Sequence, residues 1–173
     1  MGYFKVSLKK EIGDIDRLAN IIARDGWMDS NTTIVVCSPE YSSIVCQLLN
    51  HKLSYLNHHE PFDMEFLEMP YPNEQRLTQT EYRAECRKLV SRLIKKDGKY
   101  LLVDSGVLRG TNFTVLNQEM SYFIAPERLK FASLYMQDDS KFTPDYLVQA
   151  FNFKEDGGLL FWWENEDNPL WPW

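Results

Sequence analysis

The stretch from Lys99 to Asn112 constrains the fold of this chain more than any other. It opens with an apolar run, Tyr100 to Val103, whose length and composition are typical of a buried strand. Asp104 stands where that strand is expected to end, and a turn containing two glycines follows. A helix is then predicted from about residue 113 to residue 122. The stretch therefore predicts a strand–turn–helix unit with a carboxylate at its centre.

Such a unit is suited to hold a phosphate that is attached to a sugar. The first turn of a helix leaves backbone N–H groups unpaired, and the helix dipole favours an anion there. Asp104 can accept hydrogen bonds from sugar hydroxyls, and Arg109 can donate a charged hydrogen bond to a phosphate. The pattern is neither a P-loop nor Gly-x-Gly-x-x-Gly. On these residues alone, a strand–turn–helix unit that binds no ligand remains an alternative.

A second unit of the same kind precedes it. Residues 32–37 are β-branched and apolar, which predicts a buried strand. Ser38 suits a helix N-cap and Pro39 the first helical position. Further elements are predicted as a helix from Asp14 to Gly26, a strand at 62–66, a helix at 80–96 and a strand at 131–136. Alternating strands and helices predict an α/β fold with a mostly parallel sheet and helices on both faces.

Composition excludes several classes of function. A chain of 173 residues fits a single domain, and its net charge of −6 argues against nonspecific binding to nucleic acid or to an anionic membrane. The three cysteines lack metal-ligand spacing, and their odd number favours a reduced, cytoplasmic protein. No apolar run reaches the length that spans a membrane, and the first residues contain no signal-peptide core.

Residues 103–112 resemble the phosphoribosyl-diphosphate signature of type I phosphoribosyltransferases, an apolar strand, two acidic residues, three linkers and then Thr-Gly-x-Thr. Ser105 replaces the second acid, and Arg109 replaces the first threonine. Towards the end of the chain, Asp145-Tyr146-Leu147-Val148 and Trp162-Trp163-Glu164 resemble, in order and spacing, segments of the xanthine-guanine and related 6-oxopurine phosphoribosyltransferases. The shared order runs from about residue 30 to residue 165.

The resemblance implies a single phosphoribosyltransferase-like domain over residues 1–173, with a core at about 14–143 and a small C-terminal hood or cap at about 144–173. The implied reaction transfers a 5-phosphoribosyl group from phosphoribosyl diphosphate to a purine-type base and releases pyrophosphate. Mg²⁺ is the expected cofactor, and it would be held through the ligand rather than directly by the protein. A homodimer is implied, with neither nucleic acid nor membrane as a partner.

The resemblance also assigns residues to roles. The implied catalytic residues are Asp104 and Ser105. The phosphate and ribose are expected on Asp104, Ser105, Gly106, Arg109, Gly110, Thr111 and Asn112. The pyrophosphate loop corresponds to Ser38, Pro39, Glu40 and Tyr41. The base is expected near Gln137, Tyr146 and Trp163.

The departures from the family pattern leave two other functions open. Ser105 removes one carboxylate, Glu40 would repel an anion unless a divalent cation intervened, and Gln137 stands where the family has a lysine that reads the purine. One alternative is a non-catalytic regulator that binds a nucleotide or phosphosugar. The other is an interaction module on the same fold, with the tryptophan-rich end of the chain as its contact surface.

Overall fold

The structure is a computed structural model that describes residues 3–69, 78–95, 97–156 and 158–161. The strands are β1 (Tyr3–Val6), β2 (Thr32–Cys37), β3 (Asp63–Leu67), β4 (Lys99–Val107), β5 (Leu129–Gln137), β6 (Tyr146–Phe151) and β7 (Gly158–Phe161). The helices are α1 (Leu8–Asp25), α2 (Pro39–Leu56), α3 (Gln79–Leu93), α4 (Thr111–Met120) and the short α5 (Phe153–Asp156).

The main sheet has five strands in the order β3-β2-β4-β5-β6, and every neighbouring pair is parallel. One apolar cluster joins α1, α2 and the small β1–β7 pair to one face of the sheet, and a second joins α3 and α4 to the other face. Because both faces are covered, β2 is buried along its whole length. The predicted α/β architecture is therefore confirmed.

The first helix begins earlier than predicted. Its N-cap is Ser7, whose Oγ accepts a hydrogen bond from the Lys10 N–H at 3.2 Å, and the helix runs through Gly13. Asp14 is buried inside α1 instead of capping it, and accepts hydrogen bonds from the Tyr135 hydroxyl at 2.7 Å and from Lys10 Nζ at 2.6 Å. The prediction was wrong because a short polar side chain on a helix suits a cap and a buried hydrogen bond equally well.

The central strand is longer than predicted. β4 continues to Val107, so that Asp104 lies level with Ser133 and Gly106 lies level with Tyr135 in the ladder with β5. The predicted strand end at Asp104 was wrong because the ladder to β5 continues beyond it. Gly106 consequently lies in a strand rather than in a turn, and a Cβ there would come 2.8 Å from Leu159 Cδ2. Its lack of a side chain lets β7 pack against the end of β4.

The segment assigned to the cap, 144–173, contributes one strand to each of two sheets. β6 is an edge strand of the main sheet, whereas β7 pairs in parallel with β1, a strand that the sequence did not predict. Residues 162–173 lie outside the described residues, and the division into a core and a cap stays a prediction. Within the described ranges, no helix combines the length and apolar character that crossing a membrane requires.

Candidate functional site

Most of the predicted site residues lie at one edge of the main sheet. Parallel strands bring their carboxyl ends to the same edge, which is where ligands bind in open α/β sheets. Ser38 directly follows β2, residues 108–110 connect β4 to α4, and Gln137 is the last residue of β5. This edge therefore gathers the predicted pyrophosphate loop, the phosphate turn and one base-binding residue.

A cluster of one buried carboxyl and three hydroxyls, two of them buried, forms the centre of this edge. The Ser42 hydroxyl donates to Asp104 Oδ1 at 2.8 Å, and the Ser38 hydroxyl donates to Asp104 Oδ2 at 3.2 Å. Ser42 Oγ also lies 3.2 Å from Ser105 Oγ and accepts a hydrogen bond from the Ser105 N–H at 2.9 Å. The structure thus brings Asp104, Ser105 and Ser38 into one network whose hub is Ser42.

Asp104 is only 8% exposed, and its environment favours the protonated acid. Burial raises the pKa of Asp104 to about 7, although hydrogen bonds from Ser42, the Gly106 N–H, Ser38 and the Ser105 N–H oppose that rise. The buried thiols of Cys37 and Cys46 also face this carboxyl, and burial raises the pKa of both well above the ordinary value. The site therefore contains a carboxyl that titrates near neutral pH beside neutral thiols.

The predicted pyrophosphate loop is the first turn of α2. Ser38 adopts a left-handed backbone conformation, with φ 57° and ψ 64°, which is uncommon for a residue other than glycine. Pro39 is the first helical residue, as predicted, and Glu40 is exposed. The structure does not describe the side chain of Tyr41. Hydroxyl and backbone donors thus surround this turn together with one exposed acid.

The predicted phosphate turn leads into α4 through Gly110. This residue has a φ of 72°, and a Cβ there would come 2.7 Å from Phe142 Cβ, from the Phe142 backbone nitrogen and from Ser140 Oγ. Arg109 and Thr111 are exposed, whereas Asn112 is half-buried and its Oδ1 accepts a hydrogen bond from the Tyr82 hydroxyl at 3.0 Å. The segment 140–142 therefore covers Gly110 on one side, and the helix start at Thr111 remains open to solvent.

Of the predicted base-binding residues, the structure describes Gln137 and Tyr146, and it places them at different parts of the sheet. Gln137 lies at the carboxyl edge, where its side-chain amide donates to Asp139. Tyr146 instead begins β6, level with Ala132, and its hydroxyl donates to Asp25 Oδ2 at 2.6 Å and accepts from Lys130 Nζ at 2.9 Å. Because Lys130 lies near the amino end of β5, this hydroxyl is directed away from Asp104. Trp163 lies outside the described residues.

No protein-family model and no curated protein sequence matches the chain. Solved structures do match. A purine phosphoribosyltransferase from Pyrococcus horikoshii has a TM-score of 0.66 and 17% identity over 100% of this chain and 99% of its own. A xanthine-guanine-hypoxanthine phosphoribosyltransferase from Helicobacter pylori has a TM-score of 0.56 and 17% identity over 94% of this chain and 93% of its own. A hypoxanthine phosphoribosyltransferase from Trypanosoma cruzi, in complex with the product IMP, has a TM-score of 0.54 and 20% identity. This match covers 83% of this chain and 77% of the Trypanosoma cruzi chain.

This chain has the type I phosphoribosyltransferase fold. The comparison confirms the resemblance that the sequence suggested, at the level of the fold. Within a phosphoribosyltransferase fold, the carboxyl edge with Asp104 is the place where function is expected. The roles of individual residues at that edge stay predictions.

Mg²⁺, the expected cofactor, would need oxygen ligands near Asp104. Among the described residues, no cluster of three or more His, Cys, Asp or Glu side chains could hold a metal ion. Asp104 is a single carboxyl whose oxygens already accept hydrogen bonds from Ser38 and Ser42. One carboxyl can supply only part of a Mg²⁺ coordination shell, and Mg²⁺ is usually bound by one or two carboxylates together with substrate phosphates.

Sequence reasoning missed Ser42, although the chain carried a signal for it. Ser42 lies three and four residues before Val45 and Cys46, and all three are buried. Positions at this spacing share one face of a helix, so Ser42 is a hydroxyl on the buried face one turn after a strand end. A polar residue at such a position requires a buried hydrogen-bond partner, which here is the β4 network.

Proposed function

We propose that the chain binds phosphoribosyl diphosphate with Mg²⁺ at the carboxyl edge of the sheet and transfers the 5-phosphoribosyl group to a purine-type base. The observation that carries this proposal is the buried carboxyl of Asp104 beside the first turn of α2, on the strand that leads into α4. The phosphoribosyltransferase fold supports it, since the solved structures with this fold include purine phosphoribosyltransferases. A homodimer and a cytoplasmic location belong to the same proposal.

In this mechanism the bond from the anomeric carbon to pyrophosphate breaks, and its electron pair leaves with pyrophosphate. A purine nitrogen forms the new bond to that carbon, and the proton that the nitrogen carried passes to solvent. Ionised Asp104 would accept hydrogen bonds from the ribose hydroxyls in place of the one from Ser38, and the amides at Thr111 and Asn112 would hold the 5-phosphate. Ser38 and the first turn of α2 would bind the pyrophosphate. Mg²⁺, when bound, neutralises charge on the leaving diphosphate.

One observation favours a second function, a regulator that binds the same ligand without turnover. The oxygens of Asp104 are already engaged by Ser38 and Ser42, and Ser105 supplies no second carboxylate. An assay of pyrophosphate release from phosphoribosyl diphosphate, run with a panel of purine bases, separates the two functions. Turnover supports the transferase, whereas binding of phosphoribosyl diphosphate without turnover supports the regulator.

Asp104→Asn should weaken binding of phosphoribosyl diphosphate with Mg²⁺ at pH 8 by about tenfold to a hundredfold. The variant removes a charged acceptor for the ribose hydroxyls, and a hydrogen bond to a charged group contributes roughly 1.5–3 kcal/mol. Isothermal titration calorimetry measures this change. Asp138→Asn is the matched control, because it makes the same substitution at an exposed position beside the same sheet edge. If the Asp104→Asn variant and the unmodified protein bound the ligand with equal affinity, Asp104 would not be a ligand-binding residue.

A further inference from the structure

Ser42 is fully buried, with an exposure of 0%, and its hydroxyl is directed away from its own helix. The hydroxyl instead reaches β4, where it donates to Asp104 Oδ1 at 2.8 Å and accepts from the Ser105 N–H at 2.9 Å. It is therefore a cross-link between the first turn of α2 and the strand that carries the carboxyl.

The neighbouring serine shows how a structural hydroxyl behaves at the same place. Ser43 Oγ donates to the Pro39 carbonyl four residues earlier in the same helix, a local contact that is common for serine. The Ser42 hydroxyl has the same opportunity in its first helical turn but is directed to Asp104 and Ser105. The two adjacent serines therefore differ in their contacts: the Ser43 hydroxyl bonds within α2, whereas the Ser42 hydroxyl bonds to β4.

We propose that Ser42 is a positioning residue that holds the Asp104 carboxylate in place for the ribose of the bound ligand and joins it to the pyrophosphate turn. The proposal deepens the proposed function and rests on it for the identity of the ligand. Ser42 donates to one carboxylate oxygen, and the other faces Ser38 at the start of the pyrophosphate turn. A ribose hydroxyl can replace the Ser38 hydroxyl while Ser42 keeps the carboxylate oriented.

Ser42 also favours the ionised form of Asp104. A donor to a carboxylate stabilises the charged state, so its removal raises the pKa of the acid. Among the described side chains, the titratable groups that face this carboxyl are the Cys37 thiol from β2 and the Cys46 thiol from α2, both buried and with a raised pKa. Neither thiol carries charge near neutral pH. A change in the titration of Asp104 after substitution of Ser42 therefore reports the lost hydrogen bond.

The test uses the full chain with Ser42→Ala and Ser42→Cys, and with Ser43→Ala as the matched control. The Asp104 carboxyl is titrated by ¹³C NMR, its signal being assigned by its absence in Asp104→Asn. Binding of phosphoribosyl diphosphate with Mg²⁺ is measured by calorimetry from pH 6 to 9.5. Both Ser42 variants should raise the Asp104 midpoint by about one pH unit. Affinity should fall about fivefold at pH 7 from a shift of one pKa unit, and part of the loss should persist at pH 9.5, where Asp104 is ionised in both variants but is no longer held by Ser42.

Two results would overturn the proposal. One is an Asp104 midpoint that stays unchanged in Ser42→Ala or, should that variant not fold, in Ser42→Cys. The other is a shift of equal size in Ser43→Ala, which would assign the effect to the helix as a whole. The proposed function is tested separately, because it is wrong if the unmodified protein does not bind phosphoribosyl diphosphate. In that case the NMR titration alone decides whether Ser42 positions Asp104.

Discussion

Replacing Gly110 by alanine should lower the free energy of unfolding by about 3 kcal/mol, from two additive causes. The backbone of Gly110 is left-handed, with a φ of 72°, and a side chain there costs about 1 kcal/mol. The new Cβ would also come 2.7 Å from Phe142 Cβ and from the Phe142 backbone nitrogen. Forcing such contacts in a packed region costs roughly 1–3 kcal/mol. Urea denaturation of the variant and of the unmodified protein measures the difference.

Gly26 offers a matched control for the steric part. It ends α1 with a φ of 64°, and a Cβ there would meet no atom within 4 Å. Gly26→Ala should therefore cost only the conformational part, about 1 kcal/mol. Equal destabilisation by the two substitutions would show that the segment 140–142 does not press on Gly110 in solution.

The packing of Phe142 against Gly110 also limits the side from which an anion can reach the phosphate turn. Phe142 packs against Phe113 of α4 and Phe131 of β5, with ring centroids 5.4 Å and 4.7 Å apart. This aromatic group anchors the segment that covers Gly110, while the helix start at Thr111 stays exposed. An anion at this turn would therefore approach from the side of Thr111.

The strand–turn–helix units were predictable because their signals are local. The buried run 32–37 and the sequence Ser38-Pro39 gave the order β2–α2 with the helix start at its correct residue. The buried strand that carries Asp104 and a helix after its turn were predictable in the same way, although their ends were not, and so was the type of fold that such units form. These features depend on neighbouring residues, and the sequence displays them directly.

The remaining features depend on partners far away in the chain. The extension of β4 to Val107 is set by its ladder with β5, and β1 forms only because it pairs with β7. Tyr146 appeared in a family-like segment, yet Asp25 and Lys130 determine where its hydroxyl lies. Local patterns cannot specify such contacts, because they arise from tertiary packing.

The clearest example is Asp104 itself. Its position at the sheet edge was predictable, but its burial was not, since Ser42 is 62 residues away in the sequence. Burial turns an ordinary carboxylate into an acid that titrates near neutral pH. Groups with such displaced pKa values concentrate at functional sites, because a fold optimised only for stability would avoid them.

Asp104 should therefore make the protein less stable as the pH rises from about 4 to about 7. Its pKa is about 7 in the folded chain and 3.8 as the ordinary value, so the folded state binds more protons than the unfolded state in this window. Stability falls with pH wherever the folded state binds more protons. At about 1.4 kcal/mol per pKa unit, the expected loss is about 2 to 4 kcal/mol. Urea unfolding at intervals of half a pH unit measures it.

Asp104→Asn should flatten this pH dependence and raise the free energy of unfolding at pH 8 by about 2 kcal/mol, because an amide is not ionised. Asp14 and Asp29 have pKa values lowered by their partners, so their contributions are lost only below about pH 4, outside this window. Asp138→Asn should leave the slope intact. A variant that gains stability while losing ligand affinity would show that the buried carboxyl is kept for binding at the expense of stability. An unchanged slope in Asp104→Asn would assign the pH dependence to other groups.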